Sequence, residues 1–153
     1  MEPLLKKLNY KGNSEIVIVN APAELTSYIE SISLETPCIL DVDHIDTIDF
    51  ALIFVLEQES IEDMVPKIAS KLVGDCTLWF CYPKKSSKKY QCNIDREHGW
   101  QILGLHGFEP VRQVAINEDF SALRFRKVEY IKNITRSSDM ALTEEAKKRT
   151  KNK

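Results

Sequence analysis

Hydrophobic positions along this chain fall into short, dense runs separated by polar turns. Glu15-Ile16-Val17-Ile18-Val19 is a β-branched run entered through Lys11-Gly12-Asn13-Ser14, which predicts a buried first strand. After it, Asn20 or Ala21 stands at the cap and Pro22 in the first turn of a helix reaching about Ile32, with Leu25, Tyr28, Ile29 and Ile32 on one face. Cys38-Ile39-Leu40-Asp41-Val42-Asp43 predicts a second strand that turns acidic where it emerges. Asp49-Phe50-Ala51-Leu52-Ile53-Phe54-Val55-Leu56 is the most apolar run and predicts a central parallel strand. A helix follows, with Ser60 as N-cap and Asp63 completing a capping box. Ile61, Met64, Val65, Ile68, Ala69 and Leu72 form its buried stripe, Pro66 its kink and Gly74 its C-terminal stop.

Cys76 to Tyr82 is the next strand, closed by Pro83 and followed by the cationic loop Lys84-Lys85-Ser86-Ser87-Lys88-Lys89. A helix is expected over about Arg96 to Gly104, ended by Gly104 and Gly107. Val111–Ile116 and Ser121–Val128 have only a short Asn117-Glu118-Asp119 turn region between them, so they pair as an antiparallel hairpin. The order of elements specifies an α/β fold: a three-layer, Rossmann-like, mostly parallel sheet with helices on both faces and a C-terminal antiparallel hairpin. The domain spans residues 1–132, and residues 133–153 form a polar, charged tail expected to be frayed or disordered.

Composition narrows the function classes. Hydrophobic residues at 43% and charged residues at 29% are those of a folding globular chain, and a net charge of -2 gives no global attraction to nucleic acid or acidic membranes. The start, Met1-Glu2-Pro3-Leu4-Leu5-Lys6-Lys7, lacks the pattern of a signal peptide, and no apolar run approaches a membrane span, so a cytoplasmic protein is expected. There Cys38, Cys76, Cys81 and Cys92 read as reduced structural thiols, and His44, His98 and His106 have no zinc-site spacing. No metal is expected.

Three pieces carry a resemblance: Asp49–Val55, Thr77-Leu78-Trp79-Phe80-Cys81-Tyr82-Pro83 and Gly107-Phe108-Glu109-Pro110-Val111. Together they resemble the second half of the class I S-adenosylmethionine-dependent methyltransferases. Leu78–Lys85, Pro110–Ala115 and Ser121–Arg126 are also similar to signatures of a small bacterial family of domains of unknown function. The first resemblance implies a degenerate methyltransferase-like fold, S-adenosylmethionine as cofactor, and Asp41 or Asp43 as the acid that holds its ribose. The departure lies after the first strand, where Val19-Asn20-Ala21-Pro22-Ala23 has no glycine and Pro22 lacks an N–H to offer a ligand. No cofactor is therefore predicted from the residues themselves.

Open α/β sheets bind ligands at the carboxyl ends of their strands, where Asn20, Asp43, Glu57, Gln58, Tyr82, Lys84 and Lys85 are expected to lie. Lys84, Lys85, Lys88 and Lys89 could recruit a phosphate, with Tyr82 or Tyr90 stacking on a base; a solvated loop is the simpler reading. Arg124 and Arg126 share parity on the hairpin and project to one face, opposite Leu123 and Phe125, with Arg112 nearby. Trp79 and Trp100 read as core, and His98 and His106 as surface or capping residues. No catalytic residue is indicated. The sequence points first to a non-catalytic module binding a small anionic ligand or a protein partner at the crevice carrying Lys84 and Lys85. The alternatives are a divergent S-adenosylmethionine-dependent methyltransferase and a weak nucleic-acid binder.

Overall fold

The computed structural model describes residues 3–12, 15–95 and 97–131. The tail expected over 133–153 lies outside them. A short helix α1 (Pro3–Lys7) precedes β1 (Ile16–Val19); a 3-10 turn (Ala23–Leu25) leads into α2 (Thr26–Ser33) and then β2 (Cys38–Ile39). Next come β3 (Ile48–Phe54), α3 (Gln58–Ile68), β4 (Leu72–Pro83), α4 (Gln101–Leu105), β5 (Phe108–Ala115) and β6 (Phe120–Lys127). The six strands make one sheet in the order β2-β1-β3-β4-β6-β5. Strands β2, β1, β3 and β4 are parallel, while β6 runs antiparallel to both β4 and β5.

Alternation along the strands divides the core into two layers, as a pleated sheet requires. Val17, Ala51, Ile53, Leu78, Phe80, Leu123 and Phe125 face one side, packed with Ile61, Val65, Ile68 and Trp100. Ile18, Phe50, Leu52, Phe54, Trp79, Phe120 and Ala122 face the other, packed with Leu5, Leu8 and Ile32. Helix α1, which the sequence pattern did not signal, closes this second layer: the buried Trp79 donates its Nε1–H to the Leu8 carbonyl at 2.9 Å, and Lys7 reaches the Ala115 carbonyl. All four cysteines are free thiols, and burial pushes that of Cys81 far above its ordinary range. Among the described residues, no helix is long and apolar enough to cross a membrane.

Local expectations fail in several places. The helix expected from Asn20 or Ala21 is regular only from Thr26, after an extended Pro22 and the 3-10 turn. The first hairpin strand begins at Phe108 rather than Val111. The second strand ends at Ile39 because Asp41 accepts the Asp43 amide at 2.9 Å, an Asx turn that draws the backbone out of the ladder. Helix α3 begins at Gln58, not after Ser60: Glu57 is its extended N-cap without a side-chain bond, and Asn93 Oδ1 caps the Gln58 amide at 3.0 Å. It also ends at Ile68, two residues after Pro66, which offers no N–H to the preceding turn. Leu72 and Gly74 therefore belong to β4, where Gly74 has φ +55° and the pairing with β3 shifts between Ile48–Leu72 and Phe50–Thr77, a bulge rather than a helix stop. Finally, the helix expected to begin near Arg96 is regular only from Gln101 and runs through Gly104, because Asp95 takes the amides of Glu97 and His98 into a turn.

Candidate functional site

After β1 the chain crosses towards β2, and after β3 it crosses towards β4, so the connections part company between β1 and β3. A crevice opens at such a switch point because no crossover covers it. Here it is a cleft of about 400 Å³. Asn20 and Pro22 come from the end of β1, Phe54, Leu56, Glu57 and Ser60 from the passage of β3 into α3, Tyr90 from the long loop after β4, and Phe120 from the start of β6.

Three aromatic rings form its wall. Phe120 meets Phe54 edge-on at 5.5 Å between centroids and Tyr90 at 4.9 Å. Tyr90 is fixed by donating its hydroxyl to Glu24 Oε1 at 2.7 Å, with Lys89 3.5 Å from the other carboxylate oxygen. That hydroxyl holds the Glu24 carboxyl below its usual range, and the same bond raises the Tyr90 phenol. Glu57 is the one carboxylate among the lining residues, and it is exposed; the cleft thus combines aromatic walls with a carboxylate at its rim.

Asn20 has φ +59°, the left-handed conformation that glycine adopts freely and that asparagine tolerates best among other residues. The turn after β1 therefore makes the left-handed step without a glycine.

The structure brings Asn20 and Glu57 together in the cleft and disperses the other expected residues. Asp43 lies exposed in the turn after β2. Gln58 begins α3 with its amide held by Asn93. Tyr82 is 4% exposed on the opposite face of the sheet, its ring 5.6 Å from Trp100 and its hydroxyl accepting from Gln113. Lys84 donates its backbone N–H to the Asp119 carbonyl, which folds the lysine loop against the hairpin. Lys85 is paired with Asp95 at 3.2 Å, so with Lys89 on Glu24 two of the loop's four lysines are engaged locally. Phe54, Leu56, Ser60 and Phe120 were not anticipated in the cleft; Phe54 was readable from strand parity, whereas Phe120 arrives only through the pairing of β6 with β4. Among the described residues, no group of three or more His, Cys, Asp or Glu side chains is placed to hold a metal ion.

No protein-family model matches the chain, and no curated protein matches its sequence. Solved structures do match. A SAM-dependent methyltransferase from Aquifex aeolicus superposes with a TM-score of 0.55 at 14% identity, covering 82% of this chain and 88% of that one. The fold is methyltransferase-like. Two further methyltransferase-fold structures are similar at the same level: magnesium protoporphyrin IX methyltransferase from Synechocystis PCC 6803 with bound SAM, at 0.50 and 14% over 81% of this chain and 76% of that one, and M. capricolum TrmK with S-adenosyl-homocysteine, at 0.50 and 12% over 92% and 74%. At these identities the likeness speaks to the methyltransferase-like fold alone.

Proposed function

We propose that the switch-point cleft binds S-adenosylmethionine, or a nucleoside of similar shape and positive charge, as a divergent methyltransferase would. The observation that carries this reading is the character of the cleft: aromatic walls, one carboxylate and a left-handed Asn20 at the end of β1. Neighbours solved with SAM and its product share the fold, which supports the choice of ligand. Phe120, Phe54 and Tyr90 offer a surface for a flat ring, and Glu57 suits hydroxyl or ammonium donors. When bound, the cofactor would supply an activated methyl group. The anionic ligand expected from the lysine loop has weaker support, because Lys85 and Lys89 already face carboxylates and Glu57 opposes a second negative charge.

Equilibrium dialysis of the labelled methyl donor tests the proposal. Saturable binding is expected, competed by S-adenosyl-homocysteine and weakened roughly tenfold by Glu57→Gln, equivalent to about 1.4 kcal/mol. No binding at millimolar donor by folded protein overturns it, and tighter binding of ATP than of the donor would restore the anionic reading. Kinship with the small bacterial family rests on the Tyr82–Lys85 turn and the hairpin motifs. A solved member of that family without the β4-β6-β5 pairing would contradict it.

A further inference from the structure

At the opposite, amino end of the sheet lies a second pocket, of about 300 Å³, whose lining includes Lys11, Asp49, Asp75, Thr77 and Arg124. Its charges are unusual in origin. Beyond Phe120 and Ala122, the same face of β6 carries Arg124 and Arg126, where the apolar layer gives way to cations. A register shift at Val111 sets Arg112 directly opposite Arg124, a like-charge cross-strand pair that the sheet itself does not favour. Arg126 is satisfied, donating to both oxygens of Asp75 at 2.8 and 2.6 Å. Arg124 is not: its Nε is buried without a hydrogen-bond partner among the described residues. Burial, followed by the charge of Arg126, holds its guanidinium below the ordinary arginine range. Carboxylates are present as well: Asp75 is committed to Arg126, Glu109 is buried opposite Arg126 on β5, and Asp49 lines the pocket.

We propose that this pocket is a site for a protonated phosphate group, with Arg124 as its anchor, Lys11 and Thr77 as further donors, and Asp49 accepting the P–OH hydrogen. A guanidinium fork matches paired phosphate oxygens, and a buried donor without a protein partner gains a hydrogen bond when an anion's oxygen reaches it. Asp49 distinguishes the ligand, since hydrogen phosphate can donate to a carboxylate and sulfate at neutral pH cannot. The site is independent of the carboxyl-edge cleft and takes the opposite charge.

Isothermal titration with inorganic phosphate and, in parallel, a small phosphate monoester tests this. Saturable binding of at least one is expected, and the stronger binder tells a free ion from an esterified group. Arg124→Gln is expected to weaken it at least tenfold, with Arg124→Lys recovering only part because the fork is lost. Lys11→Ala, at an exposed position, is expected to weaken it several-fold without disturbing the fold, so the test survives if an Arg124 variant misfolds. Equal affinity in wild type, Arg124→Gln and Lys11→Ala, or no binding by wild type, overturns the proposal. Sulfate binding as tightly as phosphate overturns the role of Asp49.

Discussion

The two ends of this sheet are built from the same strands and hold opposite kinds of pocket. The carboxyl end has three interlocked aromatic rings and a single rim carboxylate; the amino end has Arg124 in a wall of polar groups, with Arg112 and Arg126 beside it. Lysines crowd the loop at the carboxyl end, yet Asp95 and Glu24 occupy two of them. Arginines spaced two apart on a hairpin look like an ordinary solvated face, yet the register places one opposite another and strands a buried donor. A count of charges along a sequence thus says less about where charge is available than the partners that the fold supplies.

If the carboxyl end is held by packing and the amino end by charge, truncation should separate them sharply. Phe120→Ala removes a ring that is 1% exposed and in contact with both Phe54 and Tyr90. It is expected to lower unfolding stability by about 3–5 kcal/mol in a denaturant titration. Arg124→Ala at the other end is expected to change stability by under about 1 kcal/mol, since it removes an unpaired donor and relieves its repulsion with Arg126 and Arg112. Comparable losses for the two variants would dissolve the contrast.

Asn20 sharpens it further, because its conformation belongs to the backbone and not to packing. Asn20→Ala is expected to cost about 1–2 kcal/mol, the penalty of a left-handed L-residue, while Asn20→Gly is expected to be near neutral. If alanine and glycine behave alike, the left-handed turn is not what the crevice depends on.

What the sequence made legible follows the same division between local and distant causes. Dense apolar runs and strict alternation marked β1, β3, β4 and the hairpin, and Leu123 and Phe125 against Arg124 and Arg126 gave the faces of β6 correctly. Asn20 and Glu57 followed from the rule that ligands gather at strand ends. The start of α3 was hidden because its cap comes from Asn93, 35 residues away. The end of that helix was hidden because Leu72 fits a helical stripe and a strand equally well, and only pairing with Ile48 decides. Tyr82 was expected at the cleft from its place at a strand end, but parity turns its ring to the other face, against Trp100. The missing glycine after β1 also proved a weaker discriminator than it looked, since asparagine supplies the same backbone step.

The loop between β4 and α4 depends on Asp95, whose carboxyl is held down to about 2. Desolvation, the largest single influence, would raise it, but the Glu97 amide, His98 and Lys85 together outweigh that. A depressed carboxylate stabilises the fold above its unfolded value near 3.9, and the contribution is lost as pH falls through the folded value. Asp95→Asn is therefore expected to cost about 1 kcal/mol at pH 7, discounted for its solvent exposure, and the gap from wild type should close between pH 4 and about 2. A gap independent of pH would mean that the turn geometry, and not the charge, does the holding.

The smallest stability effect is expected at the amino end, where it carries the most information about binding. Arg126 holds the Asp75 carboxyl below its ordinary range, chiefly by donating to it, but Asp75 is more than a third exposed and the pair is screened. Asp75→Asn should cost only a few tenths of a kcal/mol at low salt and nothing measurable at 1 M salt. The same substitution releases the Arg126 guanidinium and removes a negative charge beside Arg124, so phosphate affinity should rise even as stability falls slightly. That inversion would not follow from an ion pair remote from the anion site, whose loss would leave anion binding unchanged. It would show that Asp75 restrains the arginines of this pocket, in contrast to the carboxyl end, where Glu24 and Asp95 hold the lysines in place.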